Sequence, residues 1–275
     1  MHKKLKLLGP KSVTGLYSLS VVKKISMISI VAPVYNESAG ILDVIDSWIR
    51  TLEMGKNNGH WAKYEVVLCD DGSTDKTRSI IESIAEELSS IILLKNVKNQ
   101  GAGASLAKAI AASKGDYLVL MDSDGQFNPE QIVKMFSHLS EHDAVCGVRS
   151  KSSSLLHNLA SNLSTRYANL LFGTQIRDFN CQLKILPGSF IRSKVLRATR
   201  MNYSGEITYA VLKSNLRIKW LEIEHLPRSN GRSSTKFFRD GISRFQFITY
   251  LGYENYLAKK KVISIYNPEK TIENA

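Results

Sequence analysis

Cysteine is scarce in this chain, and long apolar runs are missing. Three cysteines occur in 275 residues, Cys69, Cys146 and Cys181. They are odd in number and far apart, and two lie in apolar, strand-like runs. That pattern excludes a disulfide framework and argues against a zinc site, leaving buried reduced thiols and a reducing cytosol as the simplest setting. No stretch approaches the ~18–20 apolar residues a membrane-spanning helix needs. The first residues carry lysines but no continuous apolar segment and no small-residue cleavage site, so no secretory signal is expected. There is no internal repeat and no low-complexity segment. The chain also lacks a helix-turn-helix, a metal finger and an aromatic-basic RNA motif, so nucleic acid is not an expected partner.

What is present fits one large α/β domain with a real core and appendages. Hydrophobic residues make up 43% and charged residues 23%, as in a soluble globular protein. The net charge of +12 is concentrated at the ends. Residues 1–27 hold six lysines and no acid, and residues 225–261 hold eight basic and two acidic residues. The body between them is nearly neutral. Basic ends of this kind suit an anionic surface.

Hydrophobic periodicity divides the chain into three parts: a basic leader over 1–26, a main domain over 27–236 and a basic amphipathic tail over 237–275. Strands are expected at Met27–Val34, Tyr64–Cys69, Ile91–Lys95, Asp116–Met121 and Asp143–Val148. Helices are expected between them at Ala39–Met54, Thr74–Leu88, Gly103–Ser113 and Pro129–Leu139. The alternation implies right-handed βαβ units and a mostly parallel, Rossmann-like sheet with helices on both faces. Beyond Arg149 it weakens, with helices expected at Leu155–Phe172 and Gly205–Ser214 and strands at Cys181–Leu186 and Leu216–Ile223. In such a sheet, ligands bind outside the carboxyl ends of the strands.

Four of those strand ends carry polar motifs. The first exits through Ala32-Pro33-Val34-Tyr35-Asn36-Glu37, and Pro33 suits a strand exit because it cannot donate to a ladder. Glu37 is placed to accept from a ribose hydroxyl. The second ends in Asp70-Asp71-Gly72-Ser73-Thr74-Asp75, where a carboxylate at the tip suits a base N–H and Ser73-Thr74-Asp75 reads as a helix cap. The third connection, Asn99-Gln100-Gly101-Ala102-Gly103-Ala104, allows close backbone approach to a ligand. It lacks the Lys-Ser/Thr of a P-loop and the full dinucleotide fingerprint, which counts against a kinase-like nucleotidase or a dehydrogenase. The fourth strand ends in Met121-Asp122-Ser123-Asp124-Gly125-Gln126. Two carboxylates two residues apart at a strand end make a natural seat for Mg²⁺ or Mn²⁺ carrying a diphosphate, since such ions take a few carboxylates plus substrate phosphates.

Taken in order, these motifs resemble the inverting family 2 glycosyltransferases of the A-type nucleotide-sugar fold. Within that family the chain is most similar to the dolichyl- and polyprenyl-phosphate hexose (mannosyl or glucosyl) transferases. The resemblance covers roughly residues 27–236. It implies that Pro33, Tyr35, Glu37, the Cys69 backbone and Asp71 hold the nucleoside, with Gly103 beside them. Asp122, Ser123, Asp124 and Gln126 would surround the metal and the diphosphate. Arg149 resembles a family arginine near the diphosphate. Arg166, in Ser164-Thr165-Arg166-Tyr167-Ala168-Asn169, matches a helix associated with the acceptor phosphate. Arg228, in Pro227-Arg228-Ser229-Asn230-Gly231-Arg232-Ser233, matches a loop that closes on the diphosphate. Two departures stand out. The family loop continues Ser-Lys, whereas here Ser234 follows Ser233 and the lysine comes at Lys236. The family's Asp-Pro-Thr-Ser-Gly-Phe segment appears as Asp178-Phe179-Asn180-Cys181-Gln182-Leu183, with only Asp178 retained.

The reaction implied is displacement of a nucleoside diphosphate, UDP or GDP, at the anomeric carbon. A lipid monophosphate acceptor is already an anion and needs a cation beside it, for which Arg166 is the candidate. A glycan or protein hydroxyl needs a base, for which Asp178 and Glu206 are the candidates. A binding module without turnover is a third reading, which the intact acidic pair disfavours. In the tail, Phe238, Ile242, Phe245 and Ile248 or Thr249 fall on one helical stripe flanked by Arg239, Arg244 and Lys259–Lys261. That pattern suits a helix lying in a membrane interface, or one that packs on the domain. The expected setting is the cytoplasmic face of a membrane, with peripheral contact through the basic ends. A homo-oligomer is compatible with all of this.

Overall fold

The structure, a computed structural model, describes residues 25–150, 155–227 and 237–265. Through the first half, strands and helices alternate in chain order. They are β1 Ile25–Val34, α1 Ile41–Asn57, β2 Trp61–Asp70, α2 Thr77–Glu87, β3 Ile91–Lys95, α3 Ala102–Ala112, β4 Tyr117–Leu120, α4 Gln131–Ser137 and β5 Ala144–Arg149. The second half adds α5 Leu155–Phe172, β6 Lys184–Pro187, α6 Gly188–Arg192, α7 Tyr203–Leu212, β7 Ile218–Ile223 and α8 Phe237–Ile265. Residues 1–24 of the expected leader fall outside the described residues. The boundary expected after residue 26 falls inside β1, because the Asp116 carboxylate accepts from the Ser26 and Met27 amides and draws them into the strand.

Seven strands form one sheet in the order β3-β2-β1-β4-β6-β5-β7. β1 runs parallel to β2 and β4, β2 to β3, and β5 to β7. β6 is antiparallel to both β4 and β5. A four-residue apolar strand carries no mark of its direction, so the sequence placed β6 without orienting it.

The two-residue strand period sorts side chains to two faces. Ile28, Ile30, Ala32, Val66, Leu68 and Val119 pack under α1, α2 and α4. Val31, Val67, Cys69, Leu118 and Leu120 pack under α3, α6 and α7. All of these strand residues are buried, as a sheet covered on both faces requires. On the α1 face, Trp61 lies edge-on to Phe136 at 4.9 Å and donates its indole N–H to the Leu52 carbonyl. Burying such a ring with its donor satisfied contributes about 2–3 kcal/mol.

Helices α5 and α8 share a third cluster, formed by Ala168, Phe172, Phe179, Ile248 and Leu251. The stripe expected on the tail is therefore divided. Ile248 is buried, and Phe245 is half-buried against Tyr167 with ring centroids 5.5 Å apart. Ile242 is 61% exposed, and the Phe238 side chain lies outside the described residues.

The order of strands reverses between β1 and β4: β2 and β3 extend from one side of β1, and β4 lies on the other. Their carboxyl ends open a crevice at that switch point, where ligands bind in open α/β sheets. Every strand-end motif of the first half meets there.

Candidate active site

The strand-end loops first bind one another. Asn36 sits at φ 54, a left-handed conformation that asparagine tolerates better than most residues. Its amide donates to Ser73 Oγ at 3.0 Å, and its Oδ1 accepts from the Thr74 amide at 2.8 Å. The Glu37 amide donates to Thr77 Oγ1 at 2.8 Å. The Ser73-Thr74-Asp75 run thus braces the β1 exit. As a result α2 begins at Thr77, three residues later than expected, with Asp75 accepting from the Thr77 amide. Asp70 is fully buried and takes Nε and Nη2 of Arg78 at 2.8 and 2.6 Å. Asp71 accepts from the Gln100 and Gly101 amides at 2.8 and 2.9 Å and from Asn96 Nδ2 at 2.9 Å. Its carboxylate, expected to meet a base, first of all fixes the third loop.

The glycines of that loop also have a different neighbour from the one expected. A Cβ on Gly103 would stand 1.8 Å from the Ala198 carbonyl oxygen, and one on Gly101 would stand 2.2 Å from that of Thr199. The Gly103 amide donates to the Thr199 carbonyl at 2.9 Å. The close backbone approach is thus to the chain's own segment 198–199, which caps α3. Cys69 lies inside the ladder between Pro33 and Leu94, with its thiol buried and its pKa raised by that burial. Tyr35 and Glu37 are half-buried at the crevice. Glu37 lines a cavity of about 270 Å³, with Asp43 and Ser47 of α1, Asp124, Asn128 and Leu226.

At the β4 exit, Ser123 donates its hydroxyl to the Pro33 carbonyl at 2.8 Å. That bond ties β4 to β1 and fixes the hydroxyl beside Asp122 and Asp124. Asp124 Oδ1 accepts from the Gln126 amide at 3.1 Å. Gln126 Nε2 donates to the Leu226 carbonyl at 3.2 Å, and the Leu226 amide returns a bond to the Gln126 carbonyl at 2.8 Å. That pair ties the Asp-x-Asp loop to residues just before Arg228. Arg228 itself, and the rest of its loop to residue 236, lie outside the described residues.

Asp122 Oδ1 accepts the Tyr203 hydroxyl at 2.7 Å. Burial first, and the neighbouring Asp124 charge second, push its pKa up to about 7, while Tyr203, Arg149 and Lys184 act in the opposite sense. Neither Tyr203 nor Lys184 was singled out in the sequence. Lys184 is 1% exposed and donates to the Cys181 carbonyl and to Ser204 Oγ, and burial lowers its pKa. A lone lysine inside the apolar run Cys181–Leu186 was the available signal. Tyr203 carried none, because it meets Asp122 only through tertiary structure.

Arg149, at the end of β5, grips Asp178 with two prongs, Nε to Oδ2 at 2.8 Å and Nη2 to Oδ1 at 3.0 Å. Asp178 also accepts from the Arg149 and Asn180 amides. Burial pushes Asp178 up, but the guanidinium beside it outweighs burial and holds its carboxyl below the ordinary range. Asp178, the candidate base for a hydroxyl acceptor, is thus bound to Arg149 and anchors it. Glu206 is spent similarly, accepting from the Arg197 and Ala198 amides at 2.9 Å each. Arg166 is exposed on the outer face of α5, and no hydrogen bond or ion pair holds it among the described residues.

No group of three or more His, Cys, Asp or Glu side chains among the described residues could by itself hold a metal. The residues present still fit a hard cation that brings phosphate oxygens with it. Asp122 and Asp124 are two oxygen donors whose mutual repulsion a cation relieves, with the Gln126 carboxamide one residue beyond the loop's Gly125.

Comparison with known proteins agrees with this geometry. A dolichyl-phosphate beta-glucosyltransferase from Dictyostelium discoideum is 28% identical over 247 residues, covering 82% of this chain and 75% of the relative. An undecaprenyl-phosphate 4-deoxy-4-formamido-L-arabinose transferase from Shewanella sediminis is 27% identical over 220 residues, covering 78% of this chain and 63% of the relative. The chain thus spans less than two thirds of that second relative. Among solved structures, glucosyl-3-phosphoglycerate synthase from Mycobacterium tuberculosis, in complex with Mn²⁺, UDP and phosphoglyceric acid, aligns with a TM-score of 0.62. At 16% identity, over 84% of this chain and 78% of that one, the likeness shows the fold. The model of glycosyl transferase family 2 matches residues 29–206. That span runs from β1 to α7 and takes in all four strand-end motifs, the Arg149–Asp178 pair and Tyr203, and the chain belongs to glycosyl transferase family 2.

Proposed function

We propose that the protein transfers a hexose from a UDP- or GDP-sugar to a polyprenyl or dolichyl phosphate at a membrane surface, with Mg²⁺ or Mn²⁺ bound at Asp122 and Asp124. The observation that carries this reading is the acidic pair at the β1/β4 switch point. An oxygen of the acceptor phosphate forms the new bond to the anomeric carbon. The bond from that carbon to the diphosphate oxygen breaks, and the nucleoside diphosphate leaves with the electron pair. A divalent ion supplies Lewis-acid stabilisation of that leaving charge. Arg149, oriented by Asp178, adds a fixed positive charge, and Arg228 is the candidate for a second. Glu37 and Asp71 face the nucleoside.

The acceptor follows from what the carboxylates are doing. Asp178 and Glu206 are both committed to protein donors. A phosphate nucleophile is anionic at neutral pH and needs no base, whereas a sugar hydroxyl does. Arg166 lies in an exposed stripe with Leu159, Leu163 and Leu170, spaced by four, three and four residues along one face of α5. A cation set among outward leucines suits an acceptor with a charged head and an apolar chain. The names of both relatives point the same way, and the solved neighbour's complex with Mn²⁺ and UDP supports a metal-bound donor.

Among the described residues no helix is long and apolar enough to cross a membrane. Tyr253, Tyr256 and Leu257 of α8 are exposed, and Lys259–Lys261 follow them in sequence. Aromatic and basic residues together at a helix end favour peripheral contact with an anionic leaflet. The test is incubation of the purified protein with polyprenyl phosphate, Mg²⁺ or Mn²⁺ and labelled UDP- and GDP-sugars. A lipid-linked product from one donor supports the proposal. Turnover on a soluble glycan alone overturns the acceptor.

A further inference from the structure

Tyr203 is the first residue of α7 and is 2% exposed. Its ring belongs to the apolar cluster that holds Leu106, Leu120 and Ile207. Its hydroxyl reaches out of that cluster to Asp122 Oδ1 at 2.7 Å, across 81 residues of sequence. The start of α7 is fastened on three sides. Ser204 Oγ donates to the Cys181 carbonyl at 2.8 Å and accepts from the buried Lys184. The Glu206 carboxylate holds the Arg197 and Ala198 amides. Asn202 Nδ2 donates to Ser243 Oγ of α8 at 3.0 Å.

We propose that Tyr203 is a positioning residue for the donor, fixing the Asp122 carboxylate against repulsion from Asp124 so that Oδ2 is left for the metal diphosphate. This rests on the reading of Asp122 and Asp124 as the diphosphate anchor. A hydrogen bond to one carboxylate oxygen sets the rotation of the whole group. Without it, Asp122 is free to turn away from Asp124, and the ion loses a ligand.

Calorimetric titration of the full chain with UDP and with GDP, each in Mn²⁺ and in EDTA, tests this role. Tyr203→Phe keeps the ring in its cluster and removes only the hydroxyl. It is expected to weaken the nucleotide that wild type binds by about tenfold in Mn²⁺ and to leave EDTA binding unchanged. Ile207→Ala loosens the same helix without touching the hydroxyl and is expected to keep the Mn²⁺ affinity. Wild-type affinity for Tyr203→Phe in Mn²⁺ overturns the proposal. So does an equal loss in EDTA, or a matching loss in Ile207→Ala, since either would reduce Tyr203 to packing. Failure of the wild-type protein to bind either nucleotide in Mn²⁺ overturns the donor reading itself, and this role with it.

Discussion

Asp178 holds the Arg149 guanidinium by both prongs, at 2.8 and 3.0 Å, within reach of the Asp122 carboxylate on which its charge acts. Planar bidentate geometry is something lysine cannot reproduce. Arg149→Lys is therefore expected to lower kcat at saturating donor by roughly 10²–10³-fold, the usual loss when one preorganised charge donor is removed. Asp178→Asn keeps the size of the anchor but weakens its grip, and roughly a tenfold loss is expected. Steady-state rates with labelled donor check both. A greater loss for Asp178→Asn than for Arg149→Lys would return Asp178 to a direct chemical role.

The same pair sets a pH dependence of stability. Asp178 has a folded-state pKa below its unfolded value, so its contribution is fully present above the unfolded value of about 3.9 and is lost as pH falls through the folded one. Urea midpoints of wild type and Asp178→Asn are expected to differ by a constant amount at pH 5–7 and to converge as pH falls below about 3.9. A gap that stays constant down to acid unfolding would contradict this.

Asp70 is sealed from solvent while its partner Arg78 is one-third exposed. Removing Arg78 strands a buried carboxylate, so Arg78→Ala is expected to cost about 3 kcal/mol of unfolding free energy. The exposed pair Arg50–Asp46, in contrast, is expected to contribute less than about 1 kcal/mol. Chemical denaturation of Arg78→Ala and Arg50→Ala gives the comparison.

Gly103→Ala tests where the Gly-x-Gly backbone approaches closely. A methyl group there meets the Ala198 carbonyl, so segment 198–199 must move. A loss of about 1–3 kcal/mol in unfolding free energy is expected without any ligand present. An unchanged melting temperature with weakened nucleotide binding would show instead that the glycine serves the ligand.

On α8, replacing Lys259, Lys260 and Lys261 by Gln is expected to reduce partitioning to anionic vesicles roughly a hundredfold, at ~1 kcal/mol per lysine. Flotation with phosphatidylserine-containing and neutral vesicles measures it. Equal partitioning of both proteins would remove the tail from membrane contact.

Much of the frame was legible because it is written in short-range signals. The apolar runs of β1 to β5 and the motifs at their ends gave the sheet, the crevice and the Asp122/Asp124 pair directly. What the polar residues bond to was less legible. Ser123, Asp71 and Gly103 stood in motifs that suggested ligands, yet their nearest partners are Pro33, Gln100 with Gly101, and Thr199 with Ala198. Motif spacing reports where a side chain sits, while its partner depends on loops from elsewhere in the chain. Tyr203 and the commitment of Asp178 to Arg149 were hidden for that reason, and the reversed direction of β6 leaves no trace in four apolar residues.

The central claim is that this site transfers sugar to an anion without a general base. The most direct measurement compares initial rates on a polyprenyl phosphate and on the corresponding polyprenyl alcohol, with the same donor and metal. Rapid transfer to the phosphate and none to the alcohol is the predicted result. Comparable rates on the two acceptors would contradict it.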